Sequence, residues 1–257
     1  MDRERNSKIT VIKGCGIIKN MTTKHIFFTV AIGFFIASCQ NPVSHFATVN
    51  GSFTDAKGFK LTLQEMDTHA IRSVDSIVPG ADGTFKFLPA VREPGFWLLK
   101  AATGKIMVLL LNEGDLVELS GSVSNFPDNV VMNGPKEAML LNDFFRQTRR
   151  NEHQVDSLEM ILAEHQDSAD YYRLTQKFDT VFRHIWENQR KVEIAFIDNN
   201  PGSIASLIVL NYAFGTSSVL DPQEDSVYYR KLDLTLFRKF PENKHVKYHH
   251  QRVLQMH

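Results

Sequence analysis

His245 and His249, near the end of this 257-residue sequence, are spaced so that a helix would present both imidazoles on one face. A metal ion needs at least a third ligand and further groups that orient the rings. Glu242 is the only local carboxylate and no cysteine is near, so we expect no metal and a solvated helix end. Asp75-Ser76 invites a nucleophile reading, but no Gly-x-Ser-x-Gly elbow surrounds Ser76. An Asp-Ser pair on a strand entering a turn more often satisfies backbone amides. Asp67, Asp82, Glu113 and Asp115 fall in turns without the Asp-x-Asp-x-Asp-Gly run of a calcium loop. No residue is assigned a catalytic role, and no cofactor is expected. Phe96-Trp97 keeps a binding reading: neighbouring strand residues point to opposite faces, so one ring is expected at the surface for ligand or partner contact. Trp186, at helical spacing, is expected to pack.

The chain has two cysteines, Cys15 and Cys39. Between Lys24 and Ser38 runs an uncharged apolar stretch, residues 26 to 37. It is shorter than a membrane-spanning helix and has the length of an export signal's apolar region. The tetrapeptide Ile36-Ala37-Ser38-Cys39 resembles the lipobox of bacterial lipoproteins, in which an aliphatic and two small residues admit the signal peptidase. The resemblance implies cleavage before Cys39, a diacylglyceryl thioether on its sulfur and an acylated amino group. Several acyl chains hold a protein far more firmly than one. Cys15 would leave with the leader and Cys39 would be consumed, so the mature chain would have no thiol for a redox Cys-x-x-Cys centre. Met21-Thr-Thr-Lys24 makes a more ordinary start than Met1. The expected location is the periplasmic side of the cell envelope, with Gln40 after the cysteine favouring the outer membrane by analogy.

The sequence has 29 basic and 29 acidic residues. Arg3, Arg5, Lys8, Lys13, Lys19 and Lys24 precede the cut, against Asp2 and Glu4. The remainder is mildly acidic, which gives no overall electrostatic footprint for nucleic acid or anionic lipid. At 43% hydrophobic and 23% charged, it has the composition of a folded protein.

The elements that must position these residues change character at Gly134-Pro135. Before it, short strands alternate with turns, the pattern of an antiparallel β-sandwich or barrel. Alternation is clearest in Leu61-Thr-Leu-Gln-Glu and Leu116-Val-Glu-Leu-Ser. Asp82-Gly83, between two apolar runs, is read as a hairpin turn. After it, Leu140, Leu141, Phe144 and Phe145 predict a helix over residues 136 to 150, and Leu174 to Phe196 a longer one over 168 to 197. Ser203 opens a short apolar helix, Asp221-Pro-Gln-Glu224 matches a capping box, and a last helix begins near Asn243. The expected fold is α+β. Residues 1–38 form the leader and signal peptide, 39–45 a lipidated tether, 46–134 an antiparallel β-sandwich and 135–257 an α-helical domain.

Val74-Asp75-Ser76 and Asp82-Gly83-Thr84-Phe85-Lys86-Phe87 resemble a motif of the domain of unknown function that opens many TlpA-like thiol-disulfide interchange lipoproteins. Glu93-Pro-Gly-Phe96, Leu110-Leu-Asn-Glu-Gly-Asp115 and Val131-Met-Asn-Gly134 continue the order, covering about residues 46 to 145. The helical stretch to Phe240-Pro241 and Val246 is similar to the region leading into the thioredoxin domain of those proteins. The resemblance implies a β-sandwich in which Asp75, Ser76, Asp82, Gly83, Phe85 and Phe87 serve structure, and a protein partner in envelope thiol-disulfide exchange. The chain reaches His257 about where the thioredoxin domain with its Trp-Cys-x-x-Cys site would begin, so no catalytic residue carries over. The expected function is a non-catalytic, lipid-anchored binding or scaffolding module. The alternatives are the front part of an oxidoreductase whose thioredoxin domain is missing or separately encoded, and a sugar- or peptide-binding lipoprotein.

Overall fold

The computed structural model describes residues 45–214 and 217–256. The leader, Ile36, Ala37, Ser38 and Cys39 lie outside them. Eight strands precede Gly134: β1 (Thr48–Thr54), β2 (Leu61–Met66), β3 (Ile71–Ile77), β4 (Thr84–Phe87), β5 (Gly95–Ala101), β6 (Ile106–Leu111), β7 (Leu116–Ser122) and β8 (Val131–Asn133). Five helices follow: α1 (Lys136–Glu164), α2 (Tyr171–Asn199), α3 (Ala205–Leu210), α4 (Ser226–Lys239) and α5 (Lys244–Leu254). The fold is α+β, the eight strands first and the helices after, with a short antiparallel strand pair, Ala213–Phe214 and Ser217–Ser218, between α3 and α4. Among the described residues no helix is long and apolar enough to cross a membrane.

The strands form two four-stranded sheets, ordered β4-β1-β7-β8 and β3-β2-β5-β6. All neighbours run antiparallel except β1 and β7, which pair in parallel through seven residues, Thr48 opposite Leu116 to Thr54 opposite Ser122. Period-two alternation turns Leu61, Leu63, Trp97 and Leu109 of one sheet toward Val49, Phe87 and Val117 of the other, and these residues share one apolar core. Gly51 is required where Phe85 crosses β1, since a Cβ there would come within 2.6 Å of the Phe85 ring and 2.5 Å of the Leu119 carbonyl oxygen.

The outer face of the second sheet is also covered. Phe96 and Leu110 enter a second core with Leu141 and Phe144 of α1, Leu232 of α4 and Val246 of α5. The described residues thereby make a single compact unit. α1 runs on to Glu164, well past the expected end at 150. Its apolar spacing resumes at Val155 and Leu158, which pack with Phe182 and Ile185 of α2.

Two local readings are corrected. Asp82-Gly83 is a turn but no hairpin: β3 pairs with β2 and β4 with β1, so it carries the chain from one sheet to the other. Gly83 has φ +75°, and a Cβ there would lie 2.0 Å from the Phe53 carbonyl oxygen of β1, so both conformation and proximity demand glycine. The Asp221 cap also differs. Asp221 Oδ1 accepts the amides of Gln223 and Glu224, as a capping box requires, but the Asp221 amide donates to Asp225 rather than Glu224. A single turn results, and α4 begins only at Ser226.

Candidate functional site

A cleft of about 550 Å³ opens where the second sheet meets the N-terminus of α5. Trp97 and Val91 line its apolar part, and Glu65, Arg72, Lys244 and His245 supply its polar groups. Glu65 occupies the inward position that follows Leu61 and Leu63 along β2. It sits opposite Arg72 on β3 and Trp97 on β5.

The Glu65 carboxylate accepts 2.6 Å from Arg72 Nη2 and 2.5 Å from Lys244 Nζ, and Lys244 lies 3.5 Å from Asp67. Burial pushes the Glu65 carboxyl up, but the bonds from Lys244 and Arg72 outweigh it and hold the group below its usual range. Burial pulls the Lys244 ammonium down, while Glu65 and Asp67 more than restore it. Both ends of the bridge are therefore charged at neutral pH.

α5 is fixed above the cleft by Asn243. Its side-chain oxygen accepts the amides of His245 and Val246, and its Nδ2 donates to the Pro94 carbonyl at 2.7 Å. Glu93 accepts the Lys244 amide. This anchoring places His245 edge-on to Phe96, with ring centroids 4.9 Å apart. His245 is 9% exposed, and its Nε2 is buried without a hydrogen-bond partner. That nitrogen lies toward Gly95, 3.8 Å from where a Cβ would stand. Burial, with the Lys244 charge beside it, lowers His245 to about 4, so the ring is neutral and keeps a lone pair at physiological pH.

A second hollow of about 220 Å³ shares Met66, Phe96 and His245 with the cleft and reaches His249 and Tyr248. His249 is 2% exposed; its Nε2 faces the Tyr229 carbonyl at 2.9 Å, and its Nδ1 has no partner. The expectation of a solvated helix end is thus overturned: the spacing puts both rings on one face, and that face is turned into the protein. Among the described residues no three His, Cys, Asp or Glu side chains gather as metal ligands.

The remaining expected residues are dispersed. Phe96 and Trp97 point to opposite faces of β5, but at 2% and 3% exposure neither offers an aromatic platform. The sandwich covers Trp97 and the helices cover Phe96, which corrects the reading that one ring would be free. Asp75 accepts the Ser76 amide, and the Ser76 hydroxyl pairs with Thr62 at 3.0 Å on the exposed edge strand. Asp82 holds the amide and hydroxyl of Thr84, and Phe85 and Phe87 lie in the sandwich core. Asp115 accepts from Asn112, and Glu113 pairs with His45 at 3.0 Å. Cys39 and its three preceding residues fall outside the described chain. Glu65, Arg72 and Lys244 were missed by the sequence reading. The available signal was Glu65 itself, a charge on the inward phase of an alternating strand.

A neutral imidazole at the edge, an apolar wall and a fixed ion-pair rim make an arrangement suited to binding. Comparison with known proteins adds no relative, since no family model, no curated protein and no solved structure matches the chain.

Proposed function

We propose that this chain is a lipid-anchored envelope protein that binds a ligand or partner in the cleft beneath α5 and does no chemistry of its own. The observation that carries the binding reading is the preformed cleft itself, walled by Val91 and Trp97, rimmed by the charged Glu65–Lys244 bridge and edged by neutral His245. The Ile36–Cys39 tetrapeptide supports anchoring at Cys39 on the periplasmic side. The resemblance over residues 46 to 145 supports a setting in envelope thiol-disulfide exchange, where this chain would serve as a binding or scaffolding component.

Each part has its own test. Cys39→Ser should abolish incorporation of labelled fatty acid and release the protein from the membrane fraction; unchanged fractionation refutes the anchor. A photo-crosslinking residue at Arg92, on the cleft margin, should give an adduct in cells that His245→Ala removes. Equal adducts from the same probe at Lys86, on the other sheet, would refute the cleft as the binding site.

A further inference from the structure

We propose that the arginine face of α1 is a second binding site, specific for a phosphate-type oxyanion. Arg146, Arg149, Arg150 and His153 fall at relative positions 0, 3, 4 and 7 of the helix, which places all four on one face. They line an open cleft of about 430 Å³ together with Asp128 and Asp143. Asp128 stands on the tight loop between β7 and β8, where its amide bonds the Asn125 carbonyl.

The two acids do not discharge the face. Asp128 is engaged at both oxygens, by Arg149 Nε at 3.1 Å and by His153 Nε2 at 3.1 Å. Asp143 reaches Arg146 only at 3.9 Å, with both side chains more than half exposed. Arg150 has no ion pair among the described residues. Arg149 is 14% exposed, held through one nitrogen, and its Nη2 is buried without a partner. Burial lowers the Arg149 guanidinium, the Arg146 charge pushes it the same way, and Asp128 and Glu152 recover only part of the loss.

Like charges at this spacing destabilise a helix, and the ion pair to Asp128 needs only one arginine. The unpaired donors of Arg146 and Arg150 flank Arg149 on an accessible surface, and guanidinium forks match tetrahedral oxyanions in geometry as well as charge. A free phosphate or phosphomonoester supplies at least three oxygens in a tetrahedral array and up to two charges, against the two oxygens and single charge of a carboxylate. A phosphodiester lipid headgroup shares the tetrahedral oxyanion with free phosphate but offers two free oxygens and one charge.

The test uses the full chain in a neutral-headgroup detergent, titrated with inorganic phosphate or with phosphatidylglycerol doped into the micelles, and read by NMR at the His153 ring and α1 amides. Saturable shifts on this face are expected, with affinity at least tenfold weaker in the Arg146→Gln/Arg150→Gln double variant and tighter in Asp143→Asn. Saturation by inorganic phosphate assigns a soluble ligand; saturation by phosphatidylglycerol alone assigns a lipid headgroup. No saturable shift with either probe, or equal affinity in the double variant, overturns the site. Better binding by an Asp- and Glu-rich peptide than by both phosphates also overturns it, in favour of an acidic protein partner. Asp143→Asn retains every arginine, so it tests the site even if the double variant fails to fold.

Discussion

The sandwich and the helical region bury very different interiors. Among the described residues, every fully buried polar or charged side chain lies between Asn142 and His249, in the helical region, while the core between the two sheets is wholly apolar. Strands satisfy their backbone through neighbours and can leave a dry interior. The helices enclose side-chain networks. Between α1 and α2, Gln189 accepts from Asn151 at 2.8 Å and donates to Thr148 and to Glu193 at 3.1 and 3.0 Å. Arg190 and Asp225 close a bidentate pair nearby. Dry cores contribute stability that hardly varies with pH, whereas buried ionisable groups tie stability to proton binding. The core between the sheets is thus pH-insensitive, and near neutrality, where Glu65 of the sandwich rim stays charged, the helices carry the groups that respond.

The largest expected effect comes from the dry side. Phe87 is fully buried between the sheets, so Phe87→Ala removes a ring and leaves a cavity, costing roughly 3–5 kcal/mol. Urea unfolding at pH 5.5 and pH 8 should give the same loss at both. A loss that differs by more than about 1 kcal/mol between the two pH values would mean that the sandwich core itself responds to pH.

A smaller and pH-dependent effect belongs to Glu193. Burial raises its carboxyl to about 8, against the Gln189 bond and the Arg190 charge, with Asp225 adding to the rise. A raised acid contributes stability that is full below its unfolded value of 4.5 and is lost as pH climbs to about 8. His245 has the opposite sign: its depressed value means stability present above 6.5 and lost as pH falls toward 4. Burial depresses His249 as well, so it acts in the same direction. Between 4.5 and 6.5 the slopes of Glu193 and His245 oppose each other, and from 6.5 to 8 that of Glu193 stands alone. Stability should therefore fall by about 1–2 kcal/mol over the upper window, at ~1.4 kcal/mol per pH unit for one proton. Glu193→Gln should flatten this fall; an unchanged slope would remove Glu193 as its source.

Local features of both regions were legible because they follow from local periodicity. Alternation in Leu61–Glu65 and three-four spacing in α2 place those elements within a few residues. What escaped depends on contacts between distant segments. Asp82-Gly83 carries turn chemistry that is equally compatible with a hairpin and with a crossing between sheets, and the choice is made by β1, thirty residues upstream. The burial of both Phe96 and Trp97 did leave a trace, since β5 and β6 read Phe-Trp-Leu-Leu and Met-Val-Leu-Leu-Leu. Continuous apolar runs of that kind mark strands covered on both faces. The Glu65–Lys244 bridge spans 179 positions and follows from no pattern around either residue. Glu193 sits on the inward stripe of α2, four residues after Gln189, and would have shown itself as a charge in the apolar phase.

The finest division between the two regions is Asn243, which caps α5 with one side-chain atom and ties it to the sandwich with another. Asn243→Ala removes both functions and should cost about 1–2 kcal/mol, the upper part of the range for losing a cap. Asn243→Asp keeps an acceptor for the His245 and Val246 amides and adds negative charge at the helix start, which is favourable there. It loses the donor to Pro94, and a carboxylate facing that carbonyl repels it. If α5 and the cleft are positioned from the sandwich, the Asp variant should keep native exchange protection at the α5 amides while the resonances of Phe96 and His245 shift. If the cap alone positions α5, Asn243→Asp will behave as the parent in both measurements, and the cleft geometry would then be set within the helical region without help from the sheet.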